Sequence, residues 1–457
     1  MDNQGSPADA AESIDDATGD HSRRKVLAAA GGTALTAALA GCGALFGGDD
    51  GGDGGDGGTG GGGQPSVPDE PIEAGMQVFL EGVAAVFGVP TRNGAQLAVD
   101  RINEAGGIAG REINLEVIHE DDVVSNYESF VDQGKDVTFG PISSGSYESL
   151  APEVEEQGII NVCPAGTTTT IFEEIVTDPT YNFRTANYAP MDSATAAIDA
   201  LERWDDVDTI AGINPNYTGG RNAWSIFSTA IQQLTDVEVV YEGWPDLATD
   251  DYSTHLAEVN NLEPDITYSI VWGGDAVTFL NQADANNLFD NTNVIGNYFY
   301  GQLNELSDDV VGGSDVVSGS RQFYWGHPSL DRYEPMQDLL DAARDRNDAY
   351  PSFPFHEGYM AVTAWATAAE KAVNVLGGWP SQEQLAAAME QHGYYTPAGY
   401  HSIRPQDHQA MNSQYFGRMA TESGRDVPVM EDINVYSASE IAPPPGATTM
   451  DWIESWG

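Results

Sequence analysis

Two runs of small hydroxyl residues, each directly after a short apolar strand, carry the chemistry of this chain. Gly140-Pro-Ile-Ser-Ser-Gly145 leaves a strand predicted over 137–139 and opens a helix over 147–157. Backbone N–H groups and serine hydroxyls converge there at the positive end of a helix dipole, which suits a carboxylate. Serine N-capping explains the same residues without a ligand. Strand-to-helix crevices are, however, where open α/β sheets bind ligands. The second run, Ala165 to Thr170, holds four consecutive threonines after a strand predicted over 159–162, with Thr169 and Thr170 read as caps. Trp272 ends an apolar strand and precedes Gly273 and Gly274, a context that exposes an aromatic at a strand end. His119-Glu-Asp-Asp122 has the residue types of a metal site but reads as a solvated strand end. His356-Glu357 opens an Ala-rich helix, where capping and ligand contact both stay open, and Cys163 beside Pro164 reads as core packing. There is no G-x-S-x-G, H-E-x-x-H or Walker A motif, and no G-x-G-x-x-G at a predicted strand-to-helix turn, so nucleophilic, zinc and nucleotide chemistry lack their usual frame.

The elements around these turns alternate. From Gly75 onward, apolar runs of three to six residues are followed by segments with helical spacing, such as Ala95, Leu97, Ala98 and Ile102 before the Gly106-Gly107 stop. Repeated β then α builds parallel sheets from βαβ units. A second set of units starts after Arg184, and a long helix predicted over 355–376 returns towards the first set.

The N-terminal region is different. Ser22-Arg-Arg-Lys25 and the weakly apolar run from Val26 to Gly41 resemble a twin-arginine export signal. Leu39-Ala-Gly-Cys42 resembles a lipoprotein cleavage box, which leaves Cys42 lipidated and holds the protein on the outer face of the cell membrane. A Gly/Asp-rich stretch to Gln64 reads as a solvated tether.

The chain of 457 residues carries 71 acidic against 18 basic side chains, a formal charge of -53. Such a surface repels polyphosphate and excludes sequence-independent nucleic-acid binding. With 41% hydrophobic residues the acidity belongs to a folded protein and not to a disordered polyanion. Molar salt shortens the Debye length to about 3 Å and screens the self-repulsion; the composition resembles that of proteins from extreme halophiles, haloarchaea among them. Removing 1–41 leaves 15 basic and 65 acidic residues, and Cys163 as the one free thiol, so no disulfide forms within the mature chain.

From about Gly75 to Val435 the chain resembles the type I periplasmic binding proteins of ABC transporters, in the branched-chain amino acid receptor (leucine-binding-like) branch. The segment Asn93-Gly-Ala-Gln-Leu-Ala-Val-Asp-Arg-Ile-Asn-Glu-Ala-Gly-Gly-Ile-Ala-Gly-Arg111 is similar to that family's first helix and turn. Gly140 to Gly145 resembles its GPxxSG turn, Pro164-Ala-Gly-Thr167 its SPxAT turn, Phe183-Arg-Thr185 its first crossover, and Asp407-His-Gln409 a C-terminal element of some members. The resemblance implies an α/β fold of two Rossmann-like lobes with parallel sheets joined by a multi-crossover hinge.

The resemblance also implies that Ser144, flanked by Ser143, holds a ligand carboxylate. Thr167 would bond carboxylate and ammonium, Ala165 would offer its carbonyl to the ammonium, and Phe87 and Trp272 would cover the ligand side chain from the two lobes. Where amino acid receptors of the family place a glutamate against the ammonium, this chain has Tyr298. A phenol is a poor counter-ion for a buried ammonium. Either Asp275 substitutes or the ligand has no α-ammonium.

The expected organisation is a signal over 1–41, a tether over 42–72, first-lobe segments over 73–186 and 325–436 with the latter including the C-terminal crossover, a second lobe over 187–324 and a tail over 437–457. The implied protein is a monomeric, cofactor-free, lipid-anchored binder that delivers a small amino acid, amide or carboxylate to ABC permease subunits. A sensory receptor and a secreted amidase- or esterase-type enzyme are the alternatives.

Overall fold

A computed structural model describes residues 66–457 except 308, 309, 311–314 and 331. The export signal, Cys42 and most of the tether lie outside the described residues.

The chain enters through β1 (Ile72–Val78), α1 (Ala85–Glu104), β2 (Ile113–His119), α2 (Val123–Asp132), β3 (Val137–Phe139), α3 (Ser144–Gln157), β4 (Asn161–Cys163) and β5 (Asn182–Arg184). These strands form a parallel sheet in the order β2-β1-β3-β4-β5. Six of the seven residues of β1 are buried, as expected for a strand covered on both faces. Reversal of strand order beside β1 and β3 opens the crevice into which the Gly140–Gly145 turn emerges.

The second lobe continues with α4 (Thr195–Arg203), β6 (Thr209–Ile213), α5 (Thr218–Leu234), β7 (Glu238–Gly243), α6 (Ser253–Leu262), β8 (Ile266–Ser269), α7 (Gly274–Ala285), β9 (Asn293–Gly296) and β10 (Val317–Gly319). The chain then passes through α8 (Glu334–Asn347), α9 (Phe353–Leu376), α10 (Gln382–Met389), β11 (Gly393–Thr396), β12 (Gly399–Ile403) and β13 (Ala410–Met411). It ends through β14 (Gln414–Ala420) and β15 (Val429–Tyr436).

Helix α9 packs along α1 through two reciprocal glycine approaches. A Cβ on Gly94 would lie 1.7 Å from Phe355 O, and one on Gly358 would lie 1.9 Å from Thr91 O. Only residues without a side chain let the two backbones meet this closely. That contact fixes the start of α9, including Phe353 and Glu357, beside the cleft.

The C-terminal organisation differs from the expectation. Residues 325–436 do not all return to the first lobe: β14 pairs antiparallel with β10, and β15 with β14, extending the second sheet to β15-β14-β10-β9-β8-β6-β7. An alternating strand records which face is buried, not which sheet it joins, so the sequence pattern carried no lobe assignment. Nor is 437–457 a loose tail. A helix over Thr449–Glu454 buries Trp452 and Ile453, and Thr449 donates through N and Oγ1 to Glu173 Oε1 at 3.0 and 2.6 Å. The end assigned to the tether is also ordered, since Ser66 O accepts from Trp379 N and β1 begins at Ile72.

Three crossovers link the lobes, and they are tied together. Asn187 Nδ2 donates to Ser413 O and Gln414 Oε1 at 3.1 and 3.0 Å, and Gln322 N donates to Ser413 O at 3.1 Å.

Candidate functional site

A cleft of ≈ 320 Å³ lies between the lobes, lined by Phe87, Ile142, Ser144, Ala165, Thr167, Tyr217, Trp272, Tyr298 and Arg321. The lobes touch around it. Gly274 N donates to Val83 O at 2.8 Å, and Thr218 Oγ1 reaches across to Glu148 Oε1 at 2.9 Å. Thr169 N and Asn222 Nδ2 exchange bonds with each other's side chains at 3.2 and 3.0 Å.

The first-lobe wall is made by the two hydroxyl turns. Ser144 Oγ accepts from Thr167 N at 3.0 Å, so the turns brace each other. Ser143 sits at the N-cap of α3 but makes no side-chain cap bond, and capping does not account for this serine run. Arg184, fully buried, donates to the carbonyls of Gly166 and Thr168 and to Gln409 Oε1, which holds the threonine turn from behind. That network accounts for both the Phe183-Arg-Thr and the Asp-His-Gln segments. His408 completes it by stacking on Phe183 at 4.1 Å.

Two of the backbone donors expected for a ligand are already taken. Glu120, 3% exposed, accepts from Ile142 N at 2.7 Å and from Ser143 N at 2.9 Å. Burial pushes its carboxyl up to about 8, against the pull of those two amides and the Ser146 hydroxyl. The helix end thus has an internal carboxyl partner, and what faces the cleft is Ser144 with the following turn of α3. The neighbouring acidic residues are occupied as well: Asp122 caps α2 at Ser125 N, and His119 Nδ1 accepts from Leu80 N at 3.1 Å. Among the described residues no group of three His, Cys, Asp or Glu side chains is arranged to hold a metal ion.

The opposite wall is aromatic and charged. Phe87 and Trp272 meet edge to face with centroids 5.5 Å apart, and Phe87 meets Phe353 in the same way at 5.5 Å. Tyr298 Oη lies 3.1 Å from Asp192 Oδ2, to which it donates, and 3.5 Å from Thr167 Oγ1. Beside it stands Arg321, 5% exposed, with its guanidinium 4.9 Å from the Tyr298 ring and 5.3 Å from the Phe353 ring. Arg321 Nε and Nη2 donate to Asp192 Oδ2 at 3.3 and 3.1 Å, and Nη1 to Glu357 Oε1. Three of its five N–H groups are thereby used, leaving two for a ligand. Burial opposes its charge, but the two carboxylates and Tyr298 more than offset that, so it stays protonated. Its backbone φ of 24° places it in the left-handed region, at the crossover that follows β10.

Six of the eight residues expected in the site therefore share one cleft: Phe87, Ser144, Ala165, Thr167, Trp272 and Tyr298. Two do not line it. Ser143 donates its amide to Glu120, and Asp275 accepts from Ala248 N at 2.8 Å. Arg321 and Tyr217 were missed, and Asp192 behind them. Tyr217 precedes α5 after β6, the second-lobe counterpart of the turns that were recognised. Arg321 had a signal in composition: no Lys or Arg occurs between Arg221 and Arg321.

A sequence model of the periplasmic binding protein family matches residues 71–425. The Leu/Ile/Val-binding protein homolog 1 of Brucella abortus (strain 2308) is 24% identical over 332 residues, covering 70% of this chain and 82% of that one. The leucine-, isoleucine-, valine-, threonine-, and alanine-binding protein of Pseudomonas aeruginosa is 23% identical over 330 residues, with the same coverage. Among solved structures, the ABC transporter solute-binding protein of Rhodopseudomonas palustris BisB5 in complex with 3,4-dihydroxybenzoic acid superposes with a TM-score of 0.70 at 20% identity, over 83% of this chain and all of that one.

Proposed function

This chain belongs to the periplasmic binding protein family, and on that premise we propose that its inter-lobe cleft takes a small carboxylate with an apolar body and no α-ammonium. As an ABC transporter solute-binding protein it would pass that ligand to permease subunits without turning it over. The observation that carries the reading is Arg321: a buried cation with two uncommitted N–H groups stands beside Tyr298, the position where amino acid receptors need an anion. A guanidinium and an ammonium repel at this distance, whereas a guanidinium and a carboxylate form a charge-assisted pair. Ser144 and Thr167 supply the opposing hydroxyls, and Phe87, Trp272 and Tyr217 supply the apolar walls. Relatives named for leucine, isoleucine and valine support an apolar ligand body. The aromatic acid held by the R. palustris neighbour supports a carboxylate lacking an amine.

A second reading, an α-amino acid, is favoured by one observation: Asp192 Oδ1 is buried with no hydrogen-bond partner. Tyr298 donates to the other oxygen, Oδ2, of that carboxyl. A thermal-shift screen in high salt with pairs differing only in the α-ammonium, 4-methylpentanoate against leucine and 3-phenylpropanoate against phenylalanine, separates the two. The carboxylate reading expects stabilisation by the unaminated partner in each pair and fails if only the amino acids stabilise.

Attachment at the outer face of the membrane through Cys42, after export led by Arg23 and Arg24, belongs to the same proposal. Among the described residues no helix is long and apolar enough to cross a membrane. Cys42→Ser should release the protein into the medium.

A further inference from the structure

Arg321 is shared. It carries one positive charge and faces two buried carboxylates, Asp192 at 0% exposure and Glu357 at 2%. A ligand carboxylate on its remaining N–H groups would be a third anion around one cation, out of water. An excess of buried negative charge is costly enough that one group takes a proton instead. We propose that binding of a carboxylate in the cleft is coupled to uptake of a proton by Glu357.

Geometry selects Glu357 among the three anions. Burial raises the carboxyl of Asp192 as well, and its Oδ1 has no partner, but its Oδ2 accepts three donors, Arg321 Nε, Arg321 Nη2 and Tyr298 Oη, which oppose that shift. Glu357 receives one, from Arg321 Nη1. The Glu357 side chain also borders a second, narrow pocket beyond Arg321, whose lining includes the polar side chains of Asn187, Gln322, His356 and Asn412. Among the described residues Arg321 is the one cation paired with it. His356, next to it on α9, is stacked on Phe323 at 4.8 Å and bonded through Nε2 to Thr396 Oγ1, and burial lowers its basicity. His401 behind it is held down to about 4 by burial. Burial likewise pushes the Glu357 carboxyl up to about 7, with Arg321 opposing, so the group is poised to respond to one more nearby charge. Two other buried acids lie near the cleft: Glu120, on the far side of Ile142 with its own two amide donors, and Asp275, which accepts from Ala248 N.

This inference rests on the carboxylate reading of the cleft, and calorimetry separates the two. Titrating 4-methylpentanoate at pH 8 in phosphate and in Tris, buffers of different ionisation enthalpy, counts the protons exchanged. The expected result is uptake of about one proton per ligand, and an affinity that falls about tenfold per pH unit above pH 7. In Glu357→Gln binding should persist with no proton taken up. Equal heats in both buffers, or an affinity flat from pH 6 to 9, overturn the coupling while leaving the carboxylate reading intact. Uptake that survives Glu357→Gln and disappears in Glu120→Gln overturns the assignment to Glu357. Should Glu357→Gln fail to fold, the buffer and pH dependence of the unaltered protein still decide the coupling. Absence of any binding by carboxylates overturns both.

Discussion

The two walls of the cleft are built on different plans. The first-lobe wall comes from two contiguous turns, 140–145 and 164–170, whose small hydroxyls and backbone amides brace each other through Ser144 Oγ and Thr167 N. Its positive helix end is already met by Glu120. The facing wall draws Tyr217, Trp272, Tyr298 and Arg321 from four separate segments, with Asp192 and Glu357 behind them. One wall offers neutral hydrogen bonding of a general kind. The other carries a charge and the aromatic surface, and so sets which ligand is accepted. Specificity in this molecule should therefore be altered on the second wall and affinity trimmed on the first.

The largest effect should come from removing the charge. Arg321→Met leaves Asp192 and Glu357 buried without their partner, and the cost to folding should be about 3–5 kcal/mol, read from denaturant unfolding in high salt. Arg321→Lys keeps the charge but loses the forked geometry, so it should retain most stability while weakening carboxylate binding; equal binding by the lysine variant would mean the guanidinium does not hold the ligand.

A second test compares the walls through pH. The carboxyls of Glu120 and Glu357 are raised by burial to about 8 and about 7, above their ordinary value. The folded protein therefore binds protons that the unfolded chain has lost. Stability should fall as pH rises from about 4.5 to 8 and level off beyond it, with a slope on the order of 1.4 kcal/mol per pH unit for each such group. Unfolding curves at pH 5 and pH 8 measure this, and Glu120→Gln should flatten the part arising from the first wall. Stability that rose across this window would contradict the burial of both acids as protonated groups.

Smaller changes are confined to binding. Trp272→Ala removes half-buried aromatic surface from the second wall and should weaken the ligand by about 2 kcal/mol, roughly thirtyfold, with little loss of stability. Thr167→Ala on the first wall should cost about 1 kcal/mol, the value of one neutral hydrogen bond. If the threonine change exceeded the tryptophan change, the division of labour between the walls would be reversed.

The same contrast explains what the amino-acid sequence revealed. The first wall is local: a strand, a glycine-bounded turn and a helix start are adjacent in the chain, so residue types at fixed spacing point to Ser144 and Thr167. The lobes follow from βα alternation in the same way. The second wall depends on crossovers. Trp272 and Tyr298 lie at strand ends and could be found, but Arg321 comes after β10 in a segment whose backbone pattern resembles many loops. Its pairing with Asp192, 129 positions earlier, exists only once the second-lobe strands between them have come together. Asp275 was a reasonable candidate by composition, yet its side chain serves the Ala248 turn. The placement of β14 and β15 was hidden for a related reason, since alternation records burial and not the identity of the neighbouring strand.

The most direct test of the central claim is a crystal structure with 4-methylpentanoate bound. The account predicts one ligand carboxylate oxygen about 2.7–2.9 Å from a nitrogen of Arg321, with the alkyl chain packed against Phe87 and Trp272. A carboxylate held only by Ser144 and the start of α3, with Arg321 still turned wholly to Asp192 and Glu357, would contradict it.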